Sequence, residues 1–66
     1  MSAQKQAIEI TQDDFRRLKE RLSNFLKTYW DSHAKATPEQ IAAANSVTIA
    51  IDEAIAKLEI LKEKMQ

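Results

Sequence analysis

The side chains that could do chemistry in this chain are few and scattered. Among its 66 residues there is one His and no Cys, so neither a cysteine-based nucleophile pair nor a multi-histidine metal site can form within one chain. The acidic pairs Asp13–Asp14 and Asp52–Glu53 are sequence neighbours, and neighbours on a helix point about 100° apart. A phosphate loop is excluded because Gly is absent. We therefore expect no enzymatic activity, no metal and no cofactor.

Aromatic residues near the middle of the chain allow a binding function instead. Tyr29, Trp30 and His33 could stack on a planar ligand or nucleotide, with Lys35 supplying positive charge. The other interpretation, which we favour, is that these aromatics cover the end of a helical core. The choice between the two depends on where the helices place them.

Basic residues concentrate in the first half of the chain, although the ten Lys and Arg of the whole chain balance ten Asp and Glu. A basic helix can follow a phosphate backbone. These side chains are spread around the helix, however, and Glu20 lies among them, so we do not expect nucleic-acid binding. The more acidic second half favours pairing between the halves. The basic residues considered are Arg16, Arg17, Lys19, Arg21 and Lys27.

Two helices are predicted to carry these residues. The second begins at Thr37-Pro38-Glu39-Gln40, where Thr37 is a capping residue, Pro38 suits the first helical position and Gln40 completes a capping box. The predicted helix spans about residues 38–65. Because Pro38 disfavours helical dihedrals at Thr37, residues 34–37 are a connection, and its shortness predicts antiparallel neighbours.

The first helix is predicted to span about residues 12–33, with Thr11 as its cap and early acids at Asp13 and Asp14. Ile10 and Phe15 occupy the positions of a hydrophobic staple. Residues 1–10 are then an N-terminal arm, extended or added as a helical turn, that covers an overhang of the longer second helix. The domain proper is predicted to be residues 11–66.

Apolar residues recur at spacings of three and four in both halves, which is typical of helices that pack through one stripe. The sequence therefore predicts an all-α fold, an antiparallel helical hairpin with coiled-coil-like contacts. The first stripe contains Phe15, Leu18, Leu22, Phe25 and Tyr29, and the second contains Ala44, Val47, Ile51, Ala54, Leu58, Leu61 and Met65.

Further apolar residues lie outside these stripes. Ile49 and Ile60 fall about opposite Ile51 on the second helix, with Ala42 and Ala56 on the same stripe, and Leu26 and Trp30 flank the stripe of the first helix. A hairpin partner covers only one side of a helix. Since a short chain without disulfides needs another source of stability, these residues predict a homo-oligomer. A dimeric four-helix bundle is the first choice and a higher helical oligomer the alternative.

The resulting functional hypothesis is a small non-enzymatic protein that self-associates and binds another protein as an adaptor, chaperone or inhibitor. A nucleotide- or ligand-binding oligomer is the second hypothesis, and nucleic-acid binding through the first helix is the third. No stretch approaches the roughly 20 apolar residues of a membrane span, and residues 1–6 lack the apolar segment of a signal peptide. We expect a soluble, cytoplasmic protein.

Overall fold

The protein forms two antiparallel helices. The computed structural model describes residues 3–32 and 35–65. Helix α1 runs from Ala3 to Ser32 and helix α2 from Pro38 to Lys64, which confirms the predicted helical hairpin. The Cα atoms extend over 49 × 18 × 7 Å, so the molecule is a single layer of two helices.

The start of α2 is the one predicted from the sequence. The Thr37 backbone is extended, with φ −79° and ψ 159°, and its hydroxyl accepts a hydrogen bond from the Gln40 N–H at 3.1 Å. The Gln40 side-chain oxygen accepts from the Thr37 N–H at 3.0 Å. This capping box supplies partners for two backbone N–H groups that a helix leaves unpaired at its start.

The predicted start of α1 is wrong. The helix begins at Ala3, not near residue 12, and Thr11 lies inside it, where its hydroxyl donates to the Ala7 carbonyl oxygen at 2.9 Å. A Thr hydroxyl can make this bond to the preceding turn as readily as it caps a helix. Residues 3–10 contain no Gly or Pro and include Ile8, which is buried, so the helix continues through them. Of the two forms considered for this segment, the structure has the helical one.

The expected overhang of the second helix is also absent. Helix α1 has 30 residues and α2 has 27, about 45 and 40 Å at 1.5 Å per residue. Glu9 of α1 lies beside Lys62, and Lys19 lies beside Asp52. These two pairs mark one antiparallel register along the hairpin.

The stripes that meet between the helices agree with the predicted ones only in part: Ile51 is buried, and Phe15, Leu22, Ala44, Ala54, Leu58 and Met65 are half-buried. Leu18, Phe25 and Tyr29, all assigned to the α1 stripe, are 45, 61 and 43% exposed, and Val47 and Leu61 of the α2 stripe are 45 and 48% exposed. The least exposed side chains are shifted around each helix. In α1 they include Ile8, Gln12, Phe15, Lys19, Leu22, Leu26 and Trp30, and in α2 they include Ala44, Thr48, Ile51, Ile55, Leu58 and Lys62.

This fold predicts that the start of α2 contributes measurably to stability. Thr37→Ala removes the side-chain acceptor of the Gln40 N–H, and we expect it to lower the free energy of unfolding by about 1 kcal/mol. Urea denaturation followed by circular dichroism measures the change. Thr28→Ala is the control, because Thr28 is exposed near the end of α1 and Ala is a better helix former. Equal losses in both variants would contradict the capping role.

Candidate interaction surface

One side of the hairpin holds the polar contacts between the helices. The Lys19 ammonium lies 2.8 Å from an Asp52 carboxylate oxygen, and the Lys62 ammonium lies 3.3 Å from Glu9 and 3.2 Å from Glu59. These ion pairs are partly exposed, so each contributes little on its own. We call this the polar side of the hairpin.

Gln12 is the most buried side chain of this polar side, with 3% of its surface exposed. Its amide nitrogen donates to the Ile55 carbonyl oxygen at 3.2 Å and to a Glu59 carboxylate oxygen at 3.1 Å. A buried amide is costly unless it is hydrogen-bonded. Both bonds require this rotation and register of α2 against α1, so Gln12 selects one packing of the helices.

The hydrogen bonds around Gln12 also shift the pKa values of Glu59 and Lys62. The Gln12 amide, followed by the Lys62 ammonium, lowers the pKa of Glu59 below its ordinary value of 4.5. The Glu59 carboxylate in turn raises the pKa of Lys62 above its ordinary value of 10.5. Both shifts favour the charged forms, because each group is hydrogen-bonded to a partner that stabilises its charge.

The opposite side of the hairpin is apolar. Phe25 and Tyr29 stack there with ring centroids 6.1 Å apart, and Leu18 lies two turns before Phe25 on the same side of α1. Helix α2 contributes small and medium side chains. We call this surface the apolar face and define it by Leu18, Leu22, Phe25 and Tyr29 of α1 together with Ala43, Val47, Ala54 and Leu61 of α2.

A groove of about 430 Å³ runs along the apolar face near the connection between the helices. Its α1 wall is aromatic and aliphatic, and its α2 wall consists mainly of small side chains. Such a groove accepts an apolar side chain from another molecule. The lining residues are Leu22, Phe25, Leu26, Tyr29, Trp30, Gln40, Ala43, Ala44 and Val47.

Of the residues considered for a planar ligand, the structure describes Tyr29, Trp30 and Lys35. Tyr29 and Trp30 line the groove, whereas Lys35 is exposed in the connection and is not part of its wall. His33 lies outside the described residues. The groove is therefore lined mainly for apolar contact. Among the described lining residues, polar groups come from the Gln40 amide, the Tyr29 hydroxyl and the Trp30 ring nitrogen.

The predicted interaction residues fall into two places. Ile49 and Ile60 are 57 and 55% exposed on the side of α2 that faces away from α1, and Ala42 and Ala56 are exposed there too. We call this set the outer stripe. Leu26 and Trp30 instead are half-buried and line the groove, so they belong partly to the contact between the helices.

Apart from Ala43, the residues of the apolar face were assigned from the sequence to the hairpin contact itself, and Gln12 was not singled out. The signal for Gln12 is its spacing, four residues after Ile8 and three before Phe15, which places a polar side chain on an apolar stripe. The signal for the apolar face is the width of the apolar surface on α1, which exceeds what one neighbouring helix can cover.

The basic residues of α1 are divided between ion pairs and a surface that also carries an acid. The Arg16 guanidinium pairs with Asp13 at 2.8 Å, and Lys19 pairs with Asp52. Arg17 and Arg21 share the outer side of α1 with Glu20. In the part of the chain that the structure describes, no cluster of three potential metal ligands occurs. No described helix is long and apolar enough to span a bilayer.

The position of Gln12 leads to a stability prediction. Gln12→Ala removes both hydrogen bonds to α2 and leaves a gap between the helices, so we expect the free energy of unfolding to fall by about 1–3 kcal/mol. Urea denaturation at a fixed protein concentration measures it. Gln6→Ala is the matched control, because Gln6 is exposed on α1. Equal stability of the two variants would show that Gln12 does not hold the helices together.

The lowered pKa of Glu59 leads to a pH prediction. A carboxyl group whose pKa is lower in the folded chain stabilises the fold above its unfolded pKa and loses this effect as pH falls through the folded value. We therefore expect the free energy of unfolding to decrease as pH falls below 4.5, and Glu59→Gln to weaken this decrease. Glu53→Gln on the exposed side of α2 is the control. An acid-side slope unchanged by Glu59→Gln would contradict the assignment.

Comparison with protein-family models, with curated proteins and with solved structures found no match. Two antiparallel helices are a simple arrangement, and a fold class alone does not indicate a function. Two exposed apolar surfaces, the apolar face and the outer stripe, are the features of this chain that bear on its function.

Proposed function

We propose that this chain is a non-enzymatic helical protein that self-associates through its apolar face and binds another protein as an adaptor, chaperone or inhibitor. A dimer that forms a four-helix bundle is the assembly we favour. The proposal includes a cytoplasmic location, with which the absence of Cys is compatible. Its main support is the amount of surface that the hairpin leaves exposed.

The accessible surface of the hairpin is 5320 Å², whereas a compact monomer of its mass, 7.5 kDa, exposes about 4,250 Å². The excess is about 1,070 Å². A standard protein–protein interface buries about 800 Å² on each partner. The radius of gyration, 15.4 Å, likewise exceeds the roughly 11 Å of a compact domain of this length. Covering one side of the hairpin with a second layer would remove most of this excess.

The outer stripe supports the second half of the proposal. Ile49 and Ile60 lie on the side of α2 away from α1, so a second layer on the apolar face leaves them accessible. Large apolar side chains on an exposed helix surface are typical sites of contact with a groove on another protein. This stripe is the proposed site for a different protein.

Self-association predicts a mass that depends on concentration. Sedimentation equilibrium at micromolar concentrations is expected to give about 15 kDa, twice the mass of the chain, and the melting temperature is expected to rise with protein concentration. Phe25→Asp should shift the mass to that of one chain. The reason is that this substitution places a charge within the apolar face, beside the groove.

The matched control is Ile49→Asp, because Ile49 is as exposed as Phe25 but lies on the outer stripe. It should leave the mass unchanged and weaken the capture of a partner from a cell extract. A mass of one chain for the unaltered protein at all concentrations, with a constant melting temperature, would refute self-association.

A further inference from the structure

We infer that the apolar face is covered by a second copy of the chain in one arrangement, with α1 against α1, α2 against α2 and the two connections at opposite ends of the bundle. This inference rests on the proposed self-association and adds its geometry. The two-fold axis passes between the layers, beside Leu18 and Ala54. It is supported by the distribution of large and small side chains and by the charges at the margin of the face.

The centre of the face lies near Leu18 and Ala54. These two residues are at nearly the same height along the hairpin, since Lys19 pairs with Asp52 just beside them. An antiparallel pair of α1 helices centred on Leu18 places Phe25 opposite Thr11 of the copy and Tyr29 opposite its Ala7. Large aromatic rings then meet small side chains. The Thr11 hydroxyl is already bonded to the Ala7 carbonyl, so its burial leaves no unpaired donor.

The α2 helices complement each other in the same way. A pair centred near Ala54 places Leu61 of one copy at the height between Ala43 and Val47 of the other, and these two residues line the groove. Leu61 is 48% exposed, so it is available to enter that groove. With the connections at the same end, the two grooves would face each other and Leu61 would lie far from both. Interdigitation of large and small residues is what dense cores require.

Charges at the margin of α1 fit the same arrangement. Asp14 and Arg21 are seven residues apart, on one line beside the apolar face, and Arg21 neighbours Phe25. In an antiparallel pair centred on Leu18, Asp14 of each copy lies next to Arg21 of the other, which gives two ion pairs by symmetry. With the connections at the same end, the register of the hairpin places Asp14 level with Lys57 and Arg21 level with Ala50, so Arg21 would lose its carboxylate partner.

Single-cysteine variants test the arrangement directly, because the natural chain has no Cys. Disulfides form only when two Cα atoms approach to about 4.4–6.8 Å. Mild oxidation is expected to cross-link Leu18→Cys into a covalent dimer and to leave Phe25→Cys and Ile49→Cys uncross-linked. Cross-linking of Phe25→Cys or Ile49→Cys without that of Leu18→Cys would overturn the inference.

Charge reversal gives an independent test that leaves the apolar face intact. Asp14→Arg and Arg21→Asp are each expected to raise the dimer dissociation constant about three- to tenfold, measured by sedimentation equilibrium at low salt. The double variant should restore it. If the double variant dissociates at least as much as Asp14→Arg alone, the Asp14–Arg21 pairing is absent and the inference is overturned. A protein that dimerises but fails both tests refutes this geometry alone, whereas a monomer refutes the proposed function as well.

Discussion

A hairpin of two helices can cover only one stripe of each helix, and the rest of this structure follows from that constraint. Only Ile8, Gln12 and Ile51 are buried among the described residues. The Cα layer is 7 Å thick, whereas stable domains are built from at least two packed layers around one core. Apolar side chains that would belong to the interior of a thicker molecule therefore remain on the surface.

The polar contacts decide which stripe of each helix is inside. Apolar side chains lie on several sides of α2, from Ile51 in the contact to Ile49 and Ile60 on the outer stripe, so burial of apolar area alone does not select one rotation. The hydrogen bonds of Gln12 and the ion pairs of Lys19 and Lys62 do select one. Their formation on one side turns Phe25 and Leu61 towards the other. The polar contacts on one side thereby leave the residues of the apolar face exposed on the other.

Local signals explain which features were predictable from the sequence. The start of α2 at Thr37 and Pro38 depends on neighbouring residues alone, and so does the existence of two helices. The start of α1 was missed because Thr11 has the same local pattern whether it caps a helix or bonds back to Ala7. The outcome depends on the burial of Ile8, which the local pattern does not reveal. The sequence predicted Leu18 and Phe25 in the contact between the helices, whereas the structure has Gln12 and Lys19 there. This difference likewise depends on partners more than thirty residues away in sequence.

The difference in polarity between the two sides of the hairpin also bears on how many layers an assembly would contain. A surface that is apolar on both sides of a layer would allow further layers to add without limit, whereas a two-fold pairing through one side uses the same patch on both copies and closes. Here the side opposite the apolar face carries Lys19, Asp52 and Glu59, whose burial under a third layer would cost desolvation. One-sided polarity thus favours a closed pair over an extended stack. In such a pair the outer stripe, with Ile49 and Ile60 57 and 55% exposed, still faces solvent. Two-fold symmetry places one stripe on each flank of the bundle, so each pair would offer two equivalent sites to another protein.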